Sequence, residues 1–324
     1  MLRDRYGRTI EYLRLSVTDR CDLRCTYCMP TGFKGFEEPA DWLTFDEIER
    51  LLRAFARLGT RRIRLTGGEP LLRRHVTDLA GRIAAIDGVA DLSLSTNATQ
   101  LRRHAAALRA AGVARINVSL DTLDRACMHA ITGRDSHAAV MDGIMAARDA
   151  GLDPIKLNMV AMRGVNDGEI DRMADFCIEH GFVLRLIEVM PMGATGRNSA
   201  YLDLGPVQAR LRERFDLVPQ ALELGGGPAR YLATRDGKSS IGFITPLSQH
   251  FCATCNRVRL SVDGTLYLCL GQEEKFEFRP LLRGGASDAE LEAAIRHAIE
   301  LKPHKHDFTA QPEKIVRFMS QTGG

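Results

Sequence analysis

Residues 12–30 read YLRLSVTDRCDLRCTYCMP: a short β-rich run, Tyr12 to Val17, delivers the chain into a loop holding Cys21, Cys25 and Cys28. Such spacing lets a flexible loop fold its three sulfurs around one metal core. Three thiolates leave one iron of a four-iron cluster open to a small molecule, while the soft sulfur ligands retain the rest. Zinc is the competing occupant, but a closed zinc site needs a fourth ligand, and no nearby cysteine or histidine completes the group.

Further β-rich runs follow at Arg61 to Leu65, Asp91 to Ser95, Ala114 to Leu120, Pro154 to Val160 and Val183 to Val189. Helical patterns lie between them at Thr44 to Leu58, Thr99 to Ala111, Ala138 to Ala150 and Gly168 to His180, and each ends at a glycine suited to a helix stop: Gly59, Gly112, Gly151 and Gly181. Six strand–helix alternations imply parallel strands covered by helices. The predicted fold is α/β: an incomplete (β/α)6 TIM-like barrel over residues 1–220, with a C-terminal cluster-binding extension over 221–324. A doubly wound sheet is the alternative. In the later part, Asp203 to Phe215, Ser287 to Ile299 and Pro312 to Phe318 read as helices, and Gly225-Gly226-Gly227-Pro228 reads as a loop.

With 324 residues, 45% of them apolar, the chain can bury a sizeable core. A formal charge of +3 is too slight for a general polyanion surface, and no nucleic-acid-binding motif is present, so no nucleic-acid partner is expected. No signal peptide and no run of 18 uncharged apolar residues is recognisable. A cytoplasmic protein without a membrane span is therefore expected, and its eight cysteines read as thiolates for metal or redox chemistry rather than as disulfides.

Other strand exits suit a small-molecule site. Thr66-Gly67-Gly68-Glu69-Pro70 offers adjacent glycines that let backbone approach a ligand closely. Ser95 and Asn97 follow the third strand, and Ser119 and Asp121 end the fourth, where side chains can hydrogen-bond a cofactor. Helix capping is the competing role for Asn97, Thr99 and Asp121.

A second group, Cys252, Cys255 and Cys269, follows C-x2-C-x13-C and again lacks a local fourth ligand. Structural zinc is the alternative here; His250 is a candidate fourth ligand or equally a solvent-facing residue at a strand end, and is not counted with the cluster. Between its last two cysteines, Arg257 and Arg259 share one face if extended and can clamp phosphates. Arg14, Lys156 and Arg185 lie on other strands and can converge on the same polyphosphate. Cys127 and Cys177 read as core cysteines, and His297, Lys302, His304, Lys305 and His306 as a solvated basic face.

VTDRCDLRCTYCMP resembles the nucleating segment of the radical S-adenosylmethionine superfamily, and TGGEP resembles its GGEP segment. The ordered set RRIRLTGGEP, RINVSLDTL, IKLNMV with RGVND, RLIEVMP, FCATCNRVRLSVDG and the terminal Gly323-Gly324 is similar to the GTP 3′,8-cyclase family of molybdenum cofactor biosynthesis over almost the full chain. That resemblance implies two 4Fe-4S clusters and S-adenosyl-L-methionine. The first cluster would generate a 5′-deoxyadenosyl radical that removes hydrogen from ribose C3′ of GTP; the second would contact the purine, and attack on C8 would give (8S)-3′,8-cyclo-7,8-dihydroguanosine 5′-triphosphate. By motif correspondence, Tyr27, Gly68, Ser95, Asn97, Ser119 and Met190 would contact the cofactor. Arg14, Arg257 and Arg259 would act in catalysis and on the triphosphate, Arg64, Lys156 and Arg185 on the nucleotide, and Gly323 and Gly324 as a catalytic tail. QTGG departs from the family's usual context before the glycines, and STNA from its commoner TTNG. The implied partners are GTP, a reducing system and a downstream cyclic pyranopterin monophosphate synthase; a homodimer is left open.

Overall fold

Six parallel strands, β1 (Tyr12–Ser16), β2 (Arg62–Thr66), β3 (Asp91–Thr96), β4 (Arg115–Ser119), β5 (Ile155–Ala161) and β6 (Val183–Glu188), stand in sequence order within one twelve-stranded sheet. The computed structural model describes residues 1–29, 39–220 and 226–323. Helices α1 (Phe45–Arg57), α2 (Val76–Ala84), α3 (Leu101–Ala110), α4 (Arg125–Thr132), α5 (His137–Asp149) and α6 (Ile170–His180) lie between the strands. The four glycines expected to stop helices all take positive φ, as left-handed cap geometry requires. At the start of α1, Thr44 and Glu47 form a reciprocal capping box, the threonine hydroxyl accepting from Glu47 N at 3.2 Å and the carboxylate from Thr44 N at 2.8 Å.

The remaining elements are α7 (Gly193–Arg197), α8 (Leu204–Arg214), β7 (Val218–Gln220), β8 (Arg230–Ala233), β9 (Ser240–Ile244), β10 (Arg257–Leu260), β11 (Thr265–Tyr267), β12 (Lys275–Glu277), α9 (Arg279–Arg283), α10 (Asp288–Glu300) and α11 (Met319–Thr322). They extend the sheet at both edges: β9 runs parallel beside β6, and β10 parallel beside β1. The sheet does not close on itself, since its order runs from β12 at one edge to β7 at the other. It does curl, because Arg14 of β1, Arg185 of β6, Ile244 of β9 and Arg257 of β10 line one cavity. Residues 245–256, which carry Cys252 and Cys255, connect β9 to β10 and so link the two sides of the opening.

Strand alternation explains the curl's contents. Leu13, Leu15, Ile63, Leu65, Leu92, Leu94, Leu184 and Leu186 are buried in the main apolar core. Between them the opposite face carries Arg14, Arg64, Ser93 and Arg185, so the concave side of this sheet is polar. Such a surface stays folded only if its groups find partners: Arg185 Nε donates to Asn158 Oδ1 at 2.8 Å, its Nη2 to Asn117 Oδ1, and Arg64 Nε to Ser93 Oγ at 3.4 Å.

One predicted helix does not form. Pro312 to Phe318 holds only a single turn, Pro312–Lys314, before α11. The Ile315 carbonyl instead accepts from Gly193 N at 3.2 Å and Arg197 Nη1 at 2.9 Å, so the tail is pinned to α7. Gly225 lies outside the described residues.

Candidate active site

The first cysteine loop leaves β1 and sits at the C-terminal ends of the strands. Cys21, Cys25 and Cys28 line a cavity with Tyr27, Gly67, Gly68, Ser95, Asn97, Ser119 and Met190. The glycine pair is required by contact: a Cβ on Gly68 would lie 2.2 Å from the Arg20 carbonyl oxygen, and one on Gly67 2.4 Å from that of Thr18. Glu69, fully buried, accepts from Leu71 N at 3.1 Å, Thr96 Oγ1 at 2.7 Å and Asn97 N at 2.6 Å, which fixes the β3 exit against the glycine turn. Asn97 in turn donates to Asp22 Oδ1 at 2.8 Å and approaches Cys21 Sγ at 3.7 Å. Tyr27 donates to Asp121 Oδ2 at 2.7 Å. The Ser95 hydroxyl, buried in the same cavity, has no hydrogen-bond partner within the protein.

Burial, with Glu69 beside Cys21 and Asp121 beside Cys28, pushes both thiols up to about 12, and Cys25 rises for the same first reason. Burial also lifts Glu69 to about 7 and Asp121 to about 6. Metal coordination would reverse the thiols' preference by replacing the proton with a cation.

Cys252, Cys255 and Cys269 line a second cavity, together with Arg14, Arg64, Arg185, Arg257 and Arg259. Asn158, Ile187 and Met190 belong to the walls of both cavities, so the two cysteine sets face adjoining spaces. Among the described residues no three Cys, His, Asp or Glu side chains converge on a single-ion position. All eight cysteines are free. Each cavity is lined by three thiols from one compact frame, a donor set whose chemistry suits a sulfur-ligated core.

Between the two sets, register brings arginines together. Arg259, Arg14 and Arg64 stand directly opposite one another on β10, β1 and β2. Adjacent strands are about 4.8 Å apart, so three guanidiniums share one short row. Arg257 lies one strand period away, packed over the rings of Tyr12 and Phe251 at 5.9 and 5.7 Å. Arg14 Nε and Arg257 Nε are buried without a partner in the protein. Burial first, then repulsion from neighbouring arginines, lowers Arg14 and Arg259, and brings Arg64 and Arg185 down to about 10. A guanidinium still keeps its proton at neutral pH, so the row is an unsatisfied demand for an anion.

The C-terminal tail enters this space. Met319 lines the first cavity, and Arg259 Nη1 donates to the carbonyls of Gly323 and, at 3.4 Å, Thr322. Gly324 lies outside the described residues. Lys156 does not line either cavity; it is fully buried one strand period before Asn158, and burial with Arg185, Arg115 and Arg64 nearby brings it down to about 6.

Two sequence expectations need correction. Lys302 and His306 are 1% and 6% exposed, not part of a solvated face, because the chain turns inward after α10 and both line the second cavity. Cys127 is only half-buried, whereas Cys177 is a core residue. His250 sits 3.3 Å from His306 Nε2, its ring nitrogen engaged with the other histidine. Residues not singled out by motif include Asn117, Asn158, Arg8 and Arg317; inward strand positions were the available signal for the first two, and no local pattern marks the others.

An open parallel barrel with a three-cysteine loop and a tightly packed glycine pair at its strand exits defines a radical S-adenosylmethionine protein, and the Radical SAM superfamily model matches residues 15–177. As such it uses S-adenosylmethionine and an iron–sulfur cluster. The Molybdenum Cofactor Synthesis C model matches residues 182–308. GTP 3′,8-cyclases of Paracoccus denitrificans and Erythrobacter litoralis are 46% and 47% identical, each spanning 100% of this chain and 96% and 98% of their own lengths. The chain belongs to the GTP 3′,8-cyclase family. The crystal structure of Streptococcus suis SuiB bound to S-adenosylmethionine shares the fold, with a TM-score of 0.63 at 17% identity over 90% of this chain and 68% of that one. Among the described residues no helix is long and apolar enough to cross a membrane.

Proposed function

We propose that the chain converts GTP to (8S)-3′,8-cyclo-7,8-dihydroguanosine 5′-triphosphate in molybdenum cofactor biosynthesis. The observation that carries this reading is the in-register row of buried Arg259, half-buried Arg14 and buried Arg64, which lines the cavity of the second cysteine frame where it adjoins that of the first. When bound at Cys21, Cys25 and Cys28, a four-iron cluster with S-adenosylmethionine supplies a 5′-deoxyadenosyl radical. Gly67 and Gly68 give the cofactor backbone contact, while Ser95, Asn97, Ser119, Tyr27 and Met190 line its cavity. Cys252, Cys255 and Cys269 would hold a second four-iron cluster with one iron left for the purine.

In this reading the arginine row, with Arg185 and Arg257, holds the triphosphate by charge-assisted hydrogen bonds that relieve the repulsion among the guanidiniums. Anchoring base and phosphates at opposite ends fixes the ribose between them, so C3′ faces the first cavity and C8 lies within reach of C3′. The glycine tail covers the space and excludes water and stray hydrogen donors. A reducing system would deliver the electrons, and a cyclic pyranopterin monophosphate synthase would consume the product, both in the cytoplasm.

Anaerobic turnover of GTP carrying deuterium at C3′ tests this. Deuterium in the 5′-deoxyadenosine together with a cyclised nucleotide supports it; S-adenosylmethionine cleavage that is indifferent to GTP and leaves the deuterium in the nucleotide overturns it.

A further inference from the structure

The two cysteine sets differ in the balance of buried charge around them. Around the first, the buried neighbours are carboxylates: Glu69 and Asp121, with Asp22 Oδ1 4.0 Å from Cys21 Sγ. Cations touch this loop too: half-buried Arg24 donates to the Cys21 and Leu23 carbonyls at 2.5 and 2.9 Å, and Arg134 donates to that of Asp22 from an exposed position where water screens it. Around the second, the neighbours are cations that grip the backbone of the frame. Arg8 donates to the Cys252 carbonyl at 2.9 Å, and Arg317 donates to those of Cys269 and Leu270 at 3.3 and 2.9 Å. Each of these arginines has a carboxylate of its own, Asp4 at 2.6 Å and Glu273 at 2.9 Å.

Lys302 differs. Its ammonium donates to the Arg257 carbonyl at 3.0 Å and the Leu268 carbonyl at 2.5 Å, so it ties the strand just after Cys255 to the residue just before Cys269. Among the described residues it is paired with no carboxylate, and it is 1% exposed. A buried ammonium without a counter-ion is costly, and the thiolates of the cysteine frame, which lines the same cavity, can supply the opposing negative charge.

We propose that Lys302 is a positioning and charge-compensating residue for the second cysteine frame, setting the reduction potential of the cluster held there above that of the first. The physical basis is that a fixed positive charge in a low-dielectric site stabilises the more negative, reduced state of a cluster, and carboxylates do the reverse. This rests on the reading that Cys252, Cys255 and Cys269 hold an iron–sulfur cluster.

The test uses the full chain, reconstituted anaerobically, with iron and sulfide content measured and both midpoints followed by potentiometric EPR. Lys302→Gln keeps a hydrogen-bond donor but removes the charge; Lys302→Arg keeps the charge. The expected result is a shift of the second midpoint to lower potential in Lys302→Gln, an unchanged first midpoint, and a second midpoint near the parent value in Lys302→Arg. Loss of the second set's iron in Lys302→Gln but not in Lys302→Arg likewise supports a role for charge. An unmoved second midpoint in Lys302→Gln, or equal loss of iron in both variants, overturns the proposal. A chain with all three second-set cysteines replaced by alanine separates the two levels of failure: if its iron content equals that of the parent, the cluster reading itself is wrong.

Discussion

Arg259, at the β10 end of the in-register arginine row, donates a hydrogen bond to the carbonyl oxygen of Gly323. The tail therefore meets the proposed triphosphate site at a residue that is itself part of it. Gly323 has φ of 73°, and a Cβ there would fall 2.3 Å from Thr66 Cγ2 and 2.5 Å from Thr66 Oγ1. Gly323→Ala should displace the tail and reduce cyclisation at least tenfold while leaving iron content unchanged. Product assays beside iron analysis decide it, and full turnover would remove the tail from the account.

Arg257→Ala and Arg259→Ala should each retain iron and lose GTP conversion. A charge-assisted hydrogen bond contributes about 1.5–3 kcal/mol, which is roughly a ten- to hundredfold loss in kcat/KM per residue. Lysine replacements should recover little, because a point charge does not reproduce the planar fork. Unchanged conversion in either alanine variant contradicts the assigned role.

Lys156 makes a prediction about pH. Its pKa falls from an ordinary 10.5 to about 6 in the fold, chiefly through burial and secondly through Arg185. Between those values the unfolded chain binds more protons than the folded one, so stability falls as pH drops through this window toward 6. Lys156→Met should flatten that slope between pH 7 and 9 in thermal melts of the metal-free chain. GTP binding should also draw a proton onto Lys156, measurable by calorimetry in buffers of different ionisation enthalpy and missing from the variant. An identical pH slope in parent and variant would show that Lys156 is not the group responsible.

Much of this arrangement was legible in the residues. The six central strands were readable because each is a short β-rich run, and their helices because they end at glycines with left-handed geometry. Helix α2 was missed because it ends at Ala85 with no glycine stop, and α4 because it has only eight residues. Strands β7 to β12 are three to five residues long, and their pairing with distant partners such as β9 with β6 leaves no local pattern. Within the site, cysteine spacing announced both frames, and arginines interrupting apolar strands announced the cavity. Lys302 and His306 were misread because a basic cluster after a helix resembles a solvated end, and only the inward turn after α10 buries them. The alignment of Arg14 with Arg259, 245 positions later in the chain, is a matter of register that no local stretch encodes.

The central claim is that one cysteine frame starts the chemistry while the other holds the purine in the adjoining space. Its most direct test is pulsed EPR of the reduced, reconstituted chain with GTP labelled with nitrogen-15 in the base. The account predicts a hyperfine coupling between the label and a reduced cluster that survives replacement of Cys21, Cys25 and Cys28 by alanine and vanishes on replacement of Cys252, Cys255 and Cys269. A coupling lost with the first set instead, or no coupling in any of these proteins, would contradict it.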